Sequence, residues 1–366
     1  MRNGIGPHAR LLLTGLATFV LMGFGQALIG PALPEMTRLF GLRDGTAGML
    51  VSAQWVGSAV GVAAMYLWSQ HVAPRLALAL LALGAAGLAI QPGWAPVLLS
   101  AVVFGIGYGM VAAVFNPRVL RAFGARGASM LSLLNAAYAA GAIVSPLAFV
   151  ALGNSSRIAF ALAAAVYVAI WLSAADREGG AEAPRPVQTG FRPHWPILAF
   201  TAIGIGVEAS LAGLGPTALV RAGYGEEAAA QLLSAFFFAF LLSRIVLGMV
   251  AHRFGSFVIY AAAILLAVAA LLVAVSGAAG AGFVTMGISA GMFFPGAFVT
   301  GSRKMGEDPR VTPVILGAGL VGGIGLPLAL SALTAGMGPL GFFWLLLVII
   351  LPTAIATLAS LRSMAR

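Results

Sequence analysis

Cysteine is missing from all 366 residues, which excludes disulfides, thiol nucleophiles and cysteine-ligated metals. Charge is nearly as scarce: 8% of the residues are Asp, Glu, Lys or Arg, where soluble domains carry roughly 25%. So few charges cannot cover a water-facing surface, so lipid must be the solvent for much of the chain. The four histidines, His8, His71, His194 and His252, are scattered in or beside probable loops without metal-ligand spacing, so no metal site is expected. Walker loops, paired catalytic acids and nucleophile constellations are also missing from the pattern, so neither an enzyme nor a cofactor is expected. "GIGYG" (105–109) lies inside an apolar run with no Lys-Ser/Thr behind it, and reads as a helix-packing motif.

What is abundant is apolar surface: 61% hydrophobic residues and a mean hydropathy of +1.02. Forty-eight glycines and nineteen prolines suit closely packed and kinked membrane helices. A membrane span needs about 20 mostly apolar residues. Runs of that kind fall near 11–34, 46–69, 76–93, 96–117, 129–152 and 156–174, and again near 196–220, 228–251, 256–276, 279–301, 311–335 and 339–361. The first run lacks a small-residue cleavage pattern, so it is read as a membrane helix rather than a signal peptide. Short alternating segments, the mark of a β-barrel, do not occur. The expected fold is therefore an all-α membrane protein, with twelve transmembrane helices in two six-helix bundles, 1–174 and 195–366. The polar stretch "ADREGGAEAPRPVQTGFRPH" (175–194) reads as the linker between them.

The formal charge of +10 would suit a nucleic-acid partner, but its placement gives it another meaning. An even number of spans puts both termini on one side. That side collects fifteen basic residues, including Arg75, Arg253, Arg303 and Lys304; the other has Arg38, Arg43, Arg157 and Arg221, and Arg244 lies within a span. Basic loops stay in the cytoplasm, so both termini are expected there. No nucleic acid is needed to explain the charge.

An internal repeat is visible at an offset of about 182 residues. "GIGYGM" (105–110) matches "GISAGM" (287–292), "GAIVSPL" (141–147) matches "GGIGLPL" (322–328), and "IGPALP" (29–34) matches "LAGLGP" (211–216). The three pairs keep the same order, as expected if one pseudo-symmetric bundle duplicates the other.

Two six-helix halves, cytoplasmic termini and a central loop resemble the major facilitator superfamily over essentially the whole chain. After the eighth run, "GMVAHRFG" (248–255) is similar to that family's G-x-x-x-D-R-x-G signature, with Gly248, Arg253 and Gly255 matching and His252 in place of Asp. The first-half copy, "YLWSQHVAPR" (66–75), keeps only Arg75 as the final base, with Gln70 and His71 replacing Asp and Arg. The resemblance implies that this loop helps close the cytoplasmic side, which makes Arg75, His252 and Arg253 gating candidates. "GYGMVAAVFNP" (107–117), "LLNAAYAAGAIVSPL" (133–147), "IGVEASLAGLGPTAL" (205–219) and "FFFAFLLSRIVLG" (236–248) are further similar to the fucose/glucose–proton symporter branch. The acids used by that branch in its first and fourth helices would fall near Gly30 and Ala112, which cannot titrate.

Glu208 is the single ionisable residue between Pro196 and Val220. It lies about twelve residues into its run, near the expected bilayer midplane at roughly 1.5 Å per residue. An ionised carboxyl there is costly without a cation or water beside it. Intramembrane acids are functional by default, so Glu208 is the expected proton-coupling residue; the alternative is a protonated side chain bonded to a neighbouring helix. Gln26 is its counterpart in the repeat, offering donor and acceptor without titrating. Its reading divides evenly between a substrate contact and a helix-packing hydrogen bond. Gln54, Tyr108, Asn116, Asn135 and Tyr138 complete the substrate-binding candidates. Asn116, next to Pro117, serves equally well as a gate or a backbone cap, and Asn135 and Tyr138, three apart, share a helix face. Arg244 is read mainly as a gating or structural residue and secondarily as a substrate contact.

The functional expectation is a monomeric, proton-coupled secondary transporter in a bacterial-type inner membrane, a symporter working by alternating access. Its partners would be the lipid bilayer, protons and a small polar organic solute, sugar-like by resemblance. A proton-driven exporter of amphipathic compounds and an uncoupled facilitator stay open. So does a non-transporting sensor, although the sequence has no long soluble segment to favour it.

Overall fold

A computed structural model of the chain describes residues 8–43, 45–68, 74–123, 126–173, 191–250, 253–306 and 310–365. Among the described residues there are twelve helices: α1 (Ala9–Leu39), α2 (Gly48–Trp68), α3 (Pro74–Ile90), α4 (Trp94–Phe123), α5 (Gly127–Ala151), α6 (Ser156–Ser173), α7 (Trp195–Arg221), α8 (Glu226–Val250), α9 (Ser256–Val275), α10 (Ala279–Met305), α11 (Val311–Leu333) and α12 (Gly341–Ala365). Eleven of them are long and apolar enough to cross a membrane, so this is a multi-pass membrane protein. The exception is α3, apolar but only 17 residues long. At 1.5 Å per residue it spans about 25 Å, short of a hydrocarbon core of about 30 Å. The sequence suggests a span reaching residue 93, but the helix stops at Ile90: Gln91 takes a φ of 52°, and Pro92 has no N–H with which to continue.

The chain divides into two compact units: Met1–Met36 with Ala53–Ala183, and Thr37–Ser52 with Pro184–Arg366. The hairpin joining α1 to α2 thus groups with the second unit, and its bonds explain why. Gly48 N donates to Ser331 Oγ at 2.9 Å, and Ser52 Oγ donates to Ile324 O at 2.7 Å, tying the hairpin to α11. Val51 fills the space left by the missing side chain of Gly213 on α7, 2.5 Å from where a Cβ would stand. Arg38, in the last turn of α1, makes a forked ion pair with Glu226 in the first turn of α8. The inter-bundle linker suggested by the sequence, up to residue 190, lies outside the described residues.

Within the first unit α3 packs on α4 and α6, and α4 on α5; within the second α7 packs on α10 and α11, and α10 on α8 and α9. Glycines set the closest seams. A Cβ at Gly105 or Gly109 of α4 would strike the carbonyl of Gln54 or Ser58 on α2. A Cβ at Gly287 of α10 would strike the Phe236 carbonyl on α8, and one at Gly291 would fall 2.6 Å from the Phe240 carbonyl. Both partners of each contact are displaced by 182 residues between the two seams. A third pair follows with the glycines displaced by 181 and their partners by 182: Gly141 of α5 abuts the Val20 carbonyl of α1, and Gly322 of α11 abuts the Ala202 carbonyl of α7. "GIGYGM" is a packing motif, as read from the sequence, because small residues let membrane helices meet backbone to backbone.

Candidate functional site

α7 is a continuous apolar helix in spite of four glycines, with Pro196 in its first turn, where no N–H is lost to the helix, and Pro216 inside it. Its hydroxyl residues mostly turn back on the helix itself: Thr201 Oγ1 donates to Ile197 O and Ser210 Oγ to Gly206 O. Glu208, the fourteenth of 27 residues, has no such outlet. Its Oε2 is buried and finds no hydrogen-bond partner, in a position where an unmet polar atom is costly. The helix is held around it by two close approaches. Gly204, one turn earlier, faces Phe293 of α10, with 3.0 Å to its Cβ; Gly206 faces Gly322 and Leu326 of α11.

Arg244 of α8 reaches into the same region. Its Nε donates to the Gly291 carbonyl of α10 at 3.2 Å, and its guanidinium lies 4.2 Å from the ring centre of Phe240, one turn back on α8. Gly291 is near the middle of α10, two residues from the Phe293 that packs on Gly204. The guanidinium is therefore held at mid-length of α10, on the helix that packs against α7 at Gly204, and forms no direct ion pair with Glu208. One acid from the middle of α7 and one base from the last third of α8, tethered to the middle of α10, thus lie in the same unit. The guanidinium is held by a carbonyl and an aromatic face, and the Glu208 carboxyl has a buried oxygen without a partner.

In the first unit, the Tyr138 hydroxyl of α5 donates to Gln26 Oε1 of α1 at 2.5 Å. Tyr108 of α4 sets its ring edge-on to Tyr138, centres 6.5 Å apart. The meeting is possible because α1 and α5 touch at Gly23 and Gly141, where a Cβ would collide with the Tyr138 and Val20 carbonyls, and because Ser145 Oγ donates to Phe24 O. Gln26, Tyr138 and Tyr108 are thus brought together. Asn135 is not: it is exposed, and its Nδ2 donates to Leu131 O on its own helix. Gln54 is buried on α2, at the α4 seam. Asn116 Oδ1 on α4 is buried without a partner. Arg75 stacks over Trp171 at 5.9 Å, tying α3 to α6, and Arg253 is exposed just before α9. His252, Gln70 and His71 lie outside the described residues.

Gly291 and Phe240 were not singled out from the sequence, although they hold Arg244. Phe240 and Arg244 stand four apart on one helix face, a spacing that signals contact. Nothing local marks the Gly291 carbonyl as an acceptor. Among the described residues, no group of three or more His, Cys, Asp or Glu could hold a metal ion.

Twelve apolar helices, with an acid and a base in one unit and an amide–phenol pair in the other, are the frame of a polytopic membrane protein. Residues 15–325 match the model of the Major Facilitator Superfamily, and the chain belongs to that family of transporters. No curated protein matches its sequence. Its fold is similar to that of a bacterial homologue of the human lysosomal transporter Spinster in an inward-facing, unoccupied conformation (TM-score 0.70, 15% identity, 98% of this chain and 96% of that one). It is also similar to a D-xylose–proton symporter (0.76, 12%, 95% and 96%). A POT family transporter in complex with 5-aminolevulinic acid gives 0.79 at 12% identity, covering 98% and 97%.

Proposed function

We propose that the protein is a proton-coupled secondary active transporter of a small polar organic solute, with Glu208 as the proton-carrying group. The observation that carries this reading is Glu208 itself. It is a mid-helix carboxyl with a buried, unpartnered oxygen beside a tethered arginine, so its surroundings decide whether it holds a proton. Gln26 and Tyr138 supply neutral donors and acceptors suited to a hydroxylated solute. The similarity in fold to a D-xylose–proton symporter accords with symport of a sugar-like solute.

The transport cycle is alternating access between two pseudo-symmetric six-helix bundles, 1–174 and 195–366, joined by a linker over 175–194. The glycine contacts that recur at an offset of 182 support the duplication. The excess of basic residues in loops on one side supports cytoplasmic termini in a bacterial-type inner membrane. Arg75, His252 and Arg253 act at the cytoplasmic gate, and Gln54, Tyr108 and Asn116 line the solute path, joined by Asn135 when its bond to Leu131 O opens. The protein works as a monomer.

Purified protein in liposomes with an entrapped pH dye tests the coupling. An inward solute gradient should acidify the lumen, and Glu208→Gln should keep solute exchange while abolishing proton movement. Undiminished proton movement in the variant removes Glu208 from the mechanism.

A further inference from the structure

We infer that the solute carries a carboxylate, which binds the Arg244 guanidinium in exchange for the charge of Glu208. The inference rests on Glu208 being the coupling group and names the substrate class that the same site selects.

The geometry of Arg244 leads to it. Nε is committed to the Gly291 carbonyl and one face of the guanidinium to Phe240. The two terminal nitrogens hold no hydrogen-bond partner among the described residues. A guanidinium presents its terminal N–H groups as a planar fork that fits a carboxylate in two parallel bonds. Glu208 does not occupy that fork: it forms no direct ion pair with Arg244, and its Oε2 has no donor. The structure thus orients a fork of N–H donors that no protein acceptor among the described residues takes, in the same unit as the buried carboxyl of Glu208.

Charge balance fixes the consequence. Around Glu208, α11 carries no titratable residue, α10 has Arg303 and Lys304 only in its last turn, and α12 has Arg362 in its last turn. α7 itself ends in Arg221, and α8 adds Glu226 and Glu227 in its first turn. Tyr260 of α9 donates its hydroxyl to Phe200 O of α7; among the described residues of these helices, Glu208 and Arg244 are then the acid and base away from the helix ends, and a desolvated site tolerates little net charge. With the fork empty, ionised Glu208 neutralises Arg244. When a solute carboxylate takes the fork, that neutrality is kept if Glu208 accepts one proton, forming its O–H bond. On the far side the solute leaves, the proton dissociates and the original pair is restored. One proton and one monocarboxylate cross together, with no net charge moved. A neutral solute would leave the loaded site with the uncompensated charge of Arg244.

Matched probes test this: D-gluconate against D-glucose, and D-galacturonate against D-galactose, in liposomes holding the full chain. Lumenal pH and transmembrane current are read together. The expected result is lumenal acidification with a sugar acid, without current, lost in Glu208→Gln. Arg244→Gln should weaken binding of that acid, read by thermal shift, by roughly 30-fold or more, the loss expected when one side of a buried charge pair is removed. Arg244→Lys should restore part of it. Proton movement driven by the neutral sugars instead, or carboxylate binding unchanged in Arg244→Gln, overturns the inference and leaves proton coupling standing. If no probe moves protons through Glu208, both readings fall.

Discussion

The glycine seams allow a test in which two neighbouring substitutions should have opposite effects. A methyl group added at Gly322 of α11 would land on the Ala202 carbonyl, 2.6 Å from its carbon and 2.9 Å from the Ala202 Cα. All three atoms are backbone, so no side chain can swing aside and α7 must move away from α11. Overpacking of this kind costs about 1–3 kcal/mol. The better helix propensity of alanine, about 1 kcal/mol, offsets only part of it. Gly325, three residues on in the same helix, has nothing within 4 Å of the position a Cβ would take. There the propensity and unfolded-state terms act alone, and Gly325→Ala should stabilise by about 0.4–1 kcal/mol. At roughly 2–4 °C per kcal/mol for a large domain, the two variants should differ by several degrees in Tm. Thermal unfolding in detergent, followed by tryptophan fluorescence, measures the gap. Equal shifts, or a stabilised Gly322→Ala, would refute backbone contact at this seam. Gly322→Ala should also slow transport, because α7 carries Glu208.

Two further outcomes follow from other contacts. Tyr138→Phe removes the hydroxyl that donates to Gln26, and should cost about 0.5–1.5 kcal/mol in thermal stability together with a measurable loss of solute affinity; a stability loss with affinity intact would make the pair a packing contact only. The Arg38–Glu226 pair is largely exposed on the arginine side, 62% against 27%. A double-mutant cycle to glutamine should therefore give under about 1 kcal/mol and shrink with added salt; a larger, salt-insensitive value would show that the pair is far better shielded than its exposure implies.

The helices were legible in the sequence because a bilayer demands apolar runs of nearly fixed length. The largest shortfall is in α3, which ends three residues early, at a left-handed Gln91 that hydropathy does not register. The glycine repeat was legible too, since its contacts are backbone to backbone and leave no choice of side chain. Glu208 stood out as a lone acid in an apolar run. Rotamers were not legible: helical spacing put Asn135 and Tyr138 on one face, yet Asn135 bonds Leu131 of its own helix while Tyr138 reaches α1. Nor was the grouping of the α1–α2 hairpin with α7 and α11, which depends on hydrogen bonds between residues up to 283 apart in sequence. The tether of Arg244 was half visible, in Phe240 four residues before it, and half hidden, in a carbonyl from another helix.

That carbonyl belongs to Gly291, whose missing side chain also lets α10 approach Phe240 and Ser243 of α8. The arginine's leash and the closeness of the two helices are therefore one mechanical variable. Any breathing that parts α8 from α10 by an ångström or so stretches the 3.2 Å bond past its useful range and frees the guanidinium to swing. Helix separation would then be felt directly as a change in where the positive charge lies, so a purely mechanical event at a glycine seam becomes an electrical one at Glu208.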